Sequence, residues 1–167
     1  RSDGQSVASS HVILECSDGA GPNELPLGDI AARVPLSRVN WKRFMRQRRI
    51  PATFMRGGTS KALVFHQHDL PSDRSVWPDL FRAAIGADDP NGRQLDGMGG
   101  GISSLSKVCV IARSGREDAD IDYSFFQLSP TNASVDESAN CGNMSSAMGP
   151  FAVDEGLVDV SGREAEV

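Results

Sequence analysis

From position 50 the chain falls into short runs where apolar residues either alternate with polar ones or recur at helical spacing. IPATFMR, residues 50–56, alternates and is rich in strand formers, and ALVFH, residues 62–66, is a second apolar run. Gly57 and Gly58 lie between them, so the pair reads as a hairpin with RGGTSK at its turn. A helix is predicted over residues 75–85, with Pro78 in its first turn, Gly86 closing it, and Val76, Leu80, Ala83 and Ala84 on one face. KVCVIA, residues 107–112, has the unbroken apolar character of a central strand. IDYSFFQLS, residues 121–129, predicts another, with aromatics at Tyr123, Phe125 and Phe126. Met144, Ala147, Met148, Phe151 and Ala152 then recur as the face of a helix opened by NCGN. Its other positions are small, which predicts burial nearly all round. Pro150 predicts a kink or a split into two short helices, and LVDV, after Gly156, reads as the start of a further strand.

Residues 1–49 follow a different pattern. The first thirty are rich in Ser, Gly, Asp and Pro without periodicity, the composition of a disordered segment. Residues 33–49 carry seven basic residues and no acid, with Trp41 and Phe44 interleaved. An import signal has that character, as does an unstructured leader. The expected division is therefore a disordered or leader segment over 1–49 and a folded unit over 50–167, with Met45 as a natural start.

Composition narrows the function classes. At 167 residues and 39% hydrophobic content, the chain suits one globular domain. A net charge of -5 argues against nucleic acid as a partner. No apolar run approaches the roughly 20 residues that span a bilayer, so no membrane partner is expected. Cys16, Cys109 and Cys141 have neither disulfide-framework nor zinc spacing. Cys109, inside KVCVIA, reads as a buried small hydrophobe. The expected compartment is the cytoplasm, with the mitochondrion as the alternative if the Arg-rich segment is an import signal.

The chemistry concentrates between residues 99 and 151. GGGISSLSK delivers Lys107 at the mouth of a strand after a glycine loop, whose Gly99, Gly100 and Gly101 permit close backbone approach to a ligand. NCGN delivers Cys141 at the start of a helix, where the positive end of the helix favours a thiolate. A nitrogen base and a thiol so placed can move a proton between them. Gly142 and Asn143, in the helix's first turn, would offer backbone N–H groups to an anion. The RGGTSK turn adds Arg56 and Lys61, which suit a carboxylate or phosphate. It is not a phosphate-binding loop, because GxxxxGK[ST] spacing is absent. His66 and His68 lack a third ligand at metal spacing and read as solvent-facing, so no metal is expected.

Three long segments, IPATFMRGGTSKALVF, GADDPNGRQLDGMGGGISSLSKVCVI and VDESANCGNMSSAMGPFAVDEGLV, resemble the PrpF family in the same order. That family includes 2-methylaconitate cis-trans isomerase and 4-oxalomesaconate tautomerases. The resemblance implies an α+β, diaminopimelate-epimerase-like fold of two lobes. Each lobe would be a curved, mostly antiparallel sheet wrapped around a central apolar helix, and this chain would supply the N-terminal lobe. It also implies a cofactor-independent proton shift on an unsaturated tricarboxylate. The lysine of the family's SSxSK motif falls on Lys107 and the cysteine of NCGN on Cys141, the two groups flanking the substrate. The candidate substrate-binding set is Arg56, Ser60, Lys61, Ser104, Gly142 and Asn143. Ala62 and Ala139 stand where the family usually has glycine, and Ala62 is tolerable only if its φ is negative.

The leading expectation is an isomerase that moves an allylic proton in an aconitate-like acid, with Lys107 as general base and Cys141 as acid on the other face. A non-catalytic carboxylate-binding lobe is the alternative. A single lobe would leave an apolar wall uncovered, which favours a homo-oligomer.

Overall fold

The computed structural model describes residues 10–15, 47–87 and 89–159. Its strands are β1 (Ser10–Glu15), β2 (Gln47–Gly57), β3 (Ser60–His66), β4 (Lys107–Arg113), β5 (Ile121–Leu128) and β6 (Val135–Asp136). They form one sheet in chain order. Every neighbouring pair is antiparallel except β3 with β4, which run parallel. That parallel pair is joined across one face by α1 (Trp77–Ile85), and α2 (Gly142–Asp154) covers the other face. The chain is therefore a mixed α+β unit with a mostly antiparallel sheet.

Strand periodicity assigns the two faces. On β4, Val108 and Val110 join Leu63, Phe65, Phe126 and Leu128 against α1. Cys109 and Ile111 point the other way and join Ala62, Val64 and Phe125 against α2. Both faces are covered, which is why KVCVIA shows no alternation at all.

The helix α1 begins two residues later than its pattern suggests. Asp73 accepts hydrogen bonds from the amide and hydroxyl of Ser75 (2.9 and 2.7 Å), and a single 3-10 turn (Arg74–Val76) precedes the helix. Val76 belongs to that turn and is 37% exposed, and Ala83 is half-buried. The buried face is instead Trp77, Leu80, Phe81, Ala84 and Ile85. Gly86, at φ 74, ends the helix in the left-handed region.

The expected face of α2 is the one that is buried, from Met144 to Ala152. Two details differ. The helix runs unbroken through Pro150, whose missing N–H would have met the Ser146 carbonyl; both residues sit on the exposed side, where solvent can satisfy that acceptor. Residues 157–159 do not begin a strand. The amides of Gly156 and Leu157 turn back to the carbonyls of Val153 and Ala152 (3.1 and 2.7 Å), with Gly156 at φ 64. This closure seats Leu157 and Val158 against the α2 cluster.

Two broader expectations also change. The segment 1–49 contains strand, since β1 pairs with β2 from Ser10 opposite Ala52 to Glu15 opposite Gln47. The local signal was the short apolar run of Val12, Ile13 and Leu14, set within thirty residues of otherwise polar, turn-forming composition. Residues 16–46, with Cys16 and most of the basic stretch, lie outside the described residues. The apolar helix is not buried all round, because Gly142, Asn143, Ser145 and Ser146 are exposed. The described sheet carries a helix on each face.

Candidate functional site

Lys107 opens β4 and shares its face with Cys109 and Ile111, toward α2. It is 7% exposed, unusually little for a lysine, and its burial is matched by specific partners. The Nζ donates to Oε1 of Gln127, directly across on β5, and stands 5.0 Å from the Phe125 ring centroid. Gln127 is itself fixed. Its Nε2 donates to the carbonyls of Ser103, Ser106 and Leu128 at 2.9, 3.1 and 3.1 Å, which leaves only Oε1 to face the lysine. Sequence reading missed Gln127; its signal was β-register, which no single strand carries.

The glycine loop before Lys107 serves the scaffold. The amides of Met98 and Gly99 donate to the last-turn carbonyls of α1, Ala84 and Ile85, at 2.9 and 3.0 Å. A Cβ on Gly97 would stand 2.1 Å from the Gly86 nitrogen and one on Gly99 2.7 Å from the Ile85 carbonyl oxygen, so these two glycines permit close approach to the end of α1, whereas a Cβ on Gly100 would meet Leu105. Buried Gln94, at φ 55, accepts from the Gly101 amide and the Ser106 hydroxyl (2.7 and 2.8 Å), tying the loop to the residue before Lys107.

Cys141 is the N-cap of α2 and is half-buried. Its Sγ lies 3.9 Å from the Ser60 hydroxyl. Burial pushes the thiol up, but the Met144 amide, the Lys107 charge, the Ser60 hydroxyl and the Asn143 amide outweigh it and bring the thiol below the ordinary cysteine value. Cys109, in the core, is pushed up to about 12, chiefly by burial. Gly142 and Asn143, exposed beside Cys141, occupy the positive end of a 13-residue helix. Asn143 also anchors that end to the hairpin, its Nδ2 donating to the hydroxyls of Thr59 and Ser60 at 3.0 and 3.4 Å.

Not every sequence candidate gathers here. Ser60 shares the face of Ala62 and Lys107, whereas Arg56 and Lys61 pair across the hairpin and point to the opposite face. There Lys61 lies 5.3 Å from the Phe54 ring centroid, and Arg56 donates to the Gly58 carbonyl at 3.4 Å. Ser104 sits half-buried in the 3-10 turn before Lys107. Ala62 has negative φ, so it replaces glycine without strain. His66 is not solvent-facing: its Nε2 is 3.2 Å from Glu155 Oε2 and its ring packs 5.3 Å from that of Phe151. His68 is exposed. Among the described residues no three His, Cys, Asp or Glu side chains cluster as metal ligands, and no helix is long and apolar enough to cross a membrane. A cleft of about 630 Å³ lies at the His66 end of the strands, lined in part by Arg74, Trp77 and Arg113. It is remote from Lys107 and Cys141, and the paired acid–base chemistry, not the volume, marks the candidate site.

Comparison with known proteins identifies the family. The chain is 49% identical over 119 residues to a 2-methyl-aconitate isomerase of Cupriavidus necator, covering 69% of this chain and 30% of that protein. It is 46% identical over 123 residues to a 4-oxalomesaconate tautomerase of Pseudomonas putida, covering 74% and 34%. The crystal structure of a methylitaconate-delta-isomerase superposes with a TM-score of 0.63 at 42% identity, covering 67% of this chain and 28% of that one. The chain thus spans about a third of the length of these relatives. The family model described as PrpF protein matches residues 47–165, which include every element of the site, and the chain belongs to that family.

Proposed function

We propose that the chain supplies half of the active site of a cofactor-independent isomerase that moves an allylic proton in an aconitate-like unsaturated tricarboxylate. The observation that carries this reading is a buried lysine and a half-buried thiol on one face of the sheet, with the lysine's charge drawing the thiol's titration down. The names of the relatives, isomerases and tautomerases of methylaconitate, methylitaconate and oxalomesaconate, support the substrate class.

In the forward direction the neutral amine of Lys107 takes a proton from the allylic carbon. The C–H electron pair becomes a new double bond, the old double bond shifts, and its far carbon takes the proton of the Cys141 thiol. The ammonium and thiolate that remain are the form in which the Lys107 charge draws the thiol down, and passage of that proton from the ammonium to the thiolate readies the pair for the next forward turnover. Charge that develops on a substrate carboxylate lies toward the Gly142 and Asn143 amides, with Ser60 and Ser104 as neighbouring hydroxyls. Arg56 and Lys61, on the opposite face, have no place in this scheme. A thiol at work as an acid suits a reducing compartment, and the cytoplasm is the one we assign. We further propose that later strands close the sheet around α2 as one lobe of a two-lobed, diaminopimelate-epimerase-like fold.

Lys107→Ala in the full-length protein should lower the rate of proton exchange on trans-aconitate, followed by NMR, by about 10²–10⁴-fold. Affinity should change little, because the carboxylate contacts are backbone amides. A wild-type rate in that variant would remove the lysine from the mechanism.

A further inference from the structure

We propose that Gln127 is a positioning residue that aims the Lys107 amine at the substrate carbon; this rests on the reading of Lys107 as the base. Three carbonyls hold the Gln127 amide nitrogen at 2.9, 3.1 and 3.1 Å, so its orientation is set before the lysine is considered. The remaining oxygen then accepts from Nζ. A flexible four-carbon stem would otherwise let the amine sample several rotamers, and a displacement near 1 Å in a reacting group costs about 10²-fold in rate. The Phe125 ring closes the other side at 5.0 Å. A neutral amide is also the suitable acceptor: a carboxylate in its place would hold the proton on the lysine, which a base must be free to lose and regain. The carbonyls of Ser103 and Ser106 belong to the SSLS segment itself, so the same contacts register β5 on the turn that delivers Lys107. Among the described residues, the titratable groups on this face include Cys141 at the start of α2, Cys109 on β4, Tyr123 on β5, Asp136 on β6 directly opposite Gln127, and, at the far end, His66 on β3 with Glu155.

The test is Gln127→Met, which keeps the volume and removes the acceptor together with the amide's donations to the three carbonyls, with Gln127→Asn as the milder variant should the first fail to fold. Competitive acetylation with acetic anhydride across pH 6 to 11, read by mass spectrometry, compares Lys107 with Lys61 on the opposite face. Loss of the acceptor destabilises the ammonium, so the Lys107 curve should move to lower pH while the Lys61 curve stays. Thiol labelling of buried Cys109 should remain slow, which separates this effect from general loosening. In the full-length protein, turnover of trans-aconitate should fall about 10- to 100-fold at its pH plateau with KM unchanged, and Gln127→Met should cost nothing further in a Lys107→Ala background. An unmoved Lys107 curve, or equal losses with and without Lys107, overturns the positioning role. A Lys107→Ala protein at wild-type rate overturns the reading of the site instead, and the labelling result stands apart from it.

Discussion

Replacement of Gly57 by alanine tests whether the hairpin and α2 form one rigid body. Gly57 is buried at the end of β2, and a Cβ there would stand 1.9 Å from the Asn143 carbonyl oxygen and 2.8 Å from its carbon. Both are backbone atoms in the first turn of α2, so no side chain can rotate away. Real Cβ contacts do not fall below 3.0 Å, so from 1.9 Å the helix start or the turn must move by about 1.1 Å. Overpacking of this kind costs about 1–3 kcal/mol. For a domain of this size each kcal/mol is about 2–4 °C in melting temperature, so Gly57→Ala should melt lower by about 2 to 12 °C. The same shift moves Cys141, the N-cap of α2, against Ser60, so its alkylation rate should change as well. Gly142→Ala is the control at the same helix end: nothing lies within 4 Å of its added Cβ, and helix propensity favours alanine. It should melt at or above the wild-type temperature. If Gly57→Ala melts within 1 °C of wild type and Cys141 reacts as before, the seating of the turn on α2 is not as described.

Two further outcomes follow from the same geometry. Iodoacetamide should alkylate Cys141 at lower pH than an ordinary cysteine, which titrates near 8.5, because the thiolate is the reactive form and the thiol's value is lowered. Lys107→Met should move that profile up, whereas Cys109, pushed up to about 12 by burial, should stay unreactive in both proteins; coincident Cys141 profiles would mean the lysine charge does not reach the thiol. A chain beginning at Met45 lacks β1 and leaves the Gln47–Ala52 edge of β2 unpaired, so it should melt lower and associate at high concentration. Sedimentation and melting indistinguishable from the whole chain would return the first 44 residues to the role of a dispensable leader.

What the sequence made legible was whatever one element declares by itself. The α2 face is written in five apolar residues at helical spacing, and the structure buries those five. The α1 face slipped because a 3-10 turn precedes the helix, so Val76 fell outside the periodic register. The glycine loop was recognisable as a place of close backbone approach, but not that its Met98 and Gly99 amides meet the C-terminal carbonyls of α1. Gln127 was missed because it acquires its role from the strand beside it, and a register across strands has no signature within either strand alone.

The hairpin cations illustrate a different kind of error, one the sequence could have corrected. Ser60 and Lys61 were both candidates for one site, yet they are adjacent in a strand, and adjacent strand residues face opposite sides of a sheet. Only one of them can share a face with Lys107. Ala62 is directly paired with Lys107, so even-numbered β3 residues face the thiol and odd-numbered ones face away. Arg56 lies opposite Lys61 in the hairpin and points to the same side as Lys61. What remains from the hairpin on the lysine–thiol side is one serine, Ser60, beside the positive end of α2. Under the proposed function, recognition of a carboxylate on this half of the site would fall to backbone amides and hydroxyls, which bind an anion without placing a fixed cation beside a base that must take up a proton.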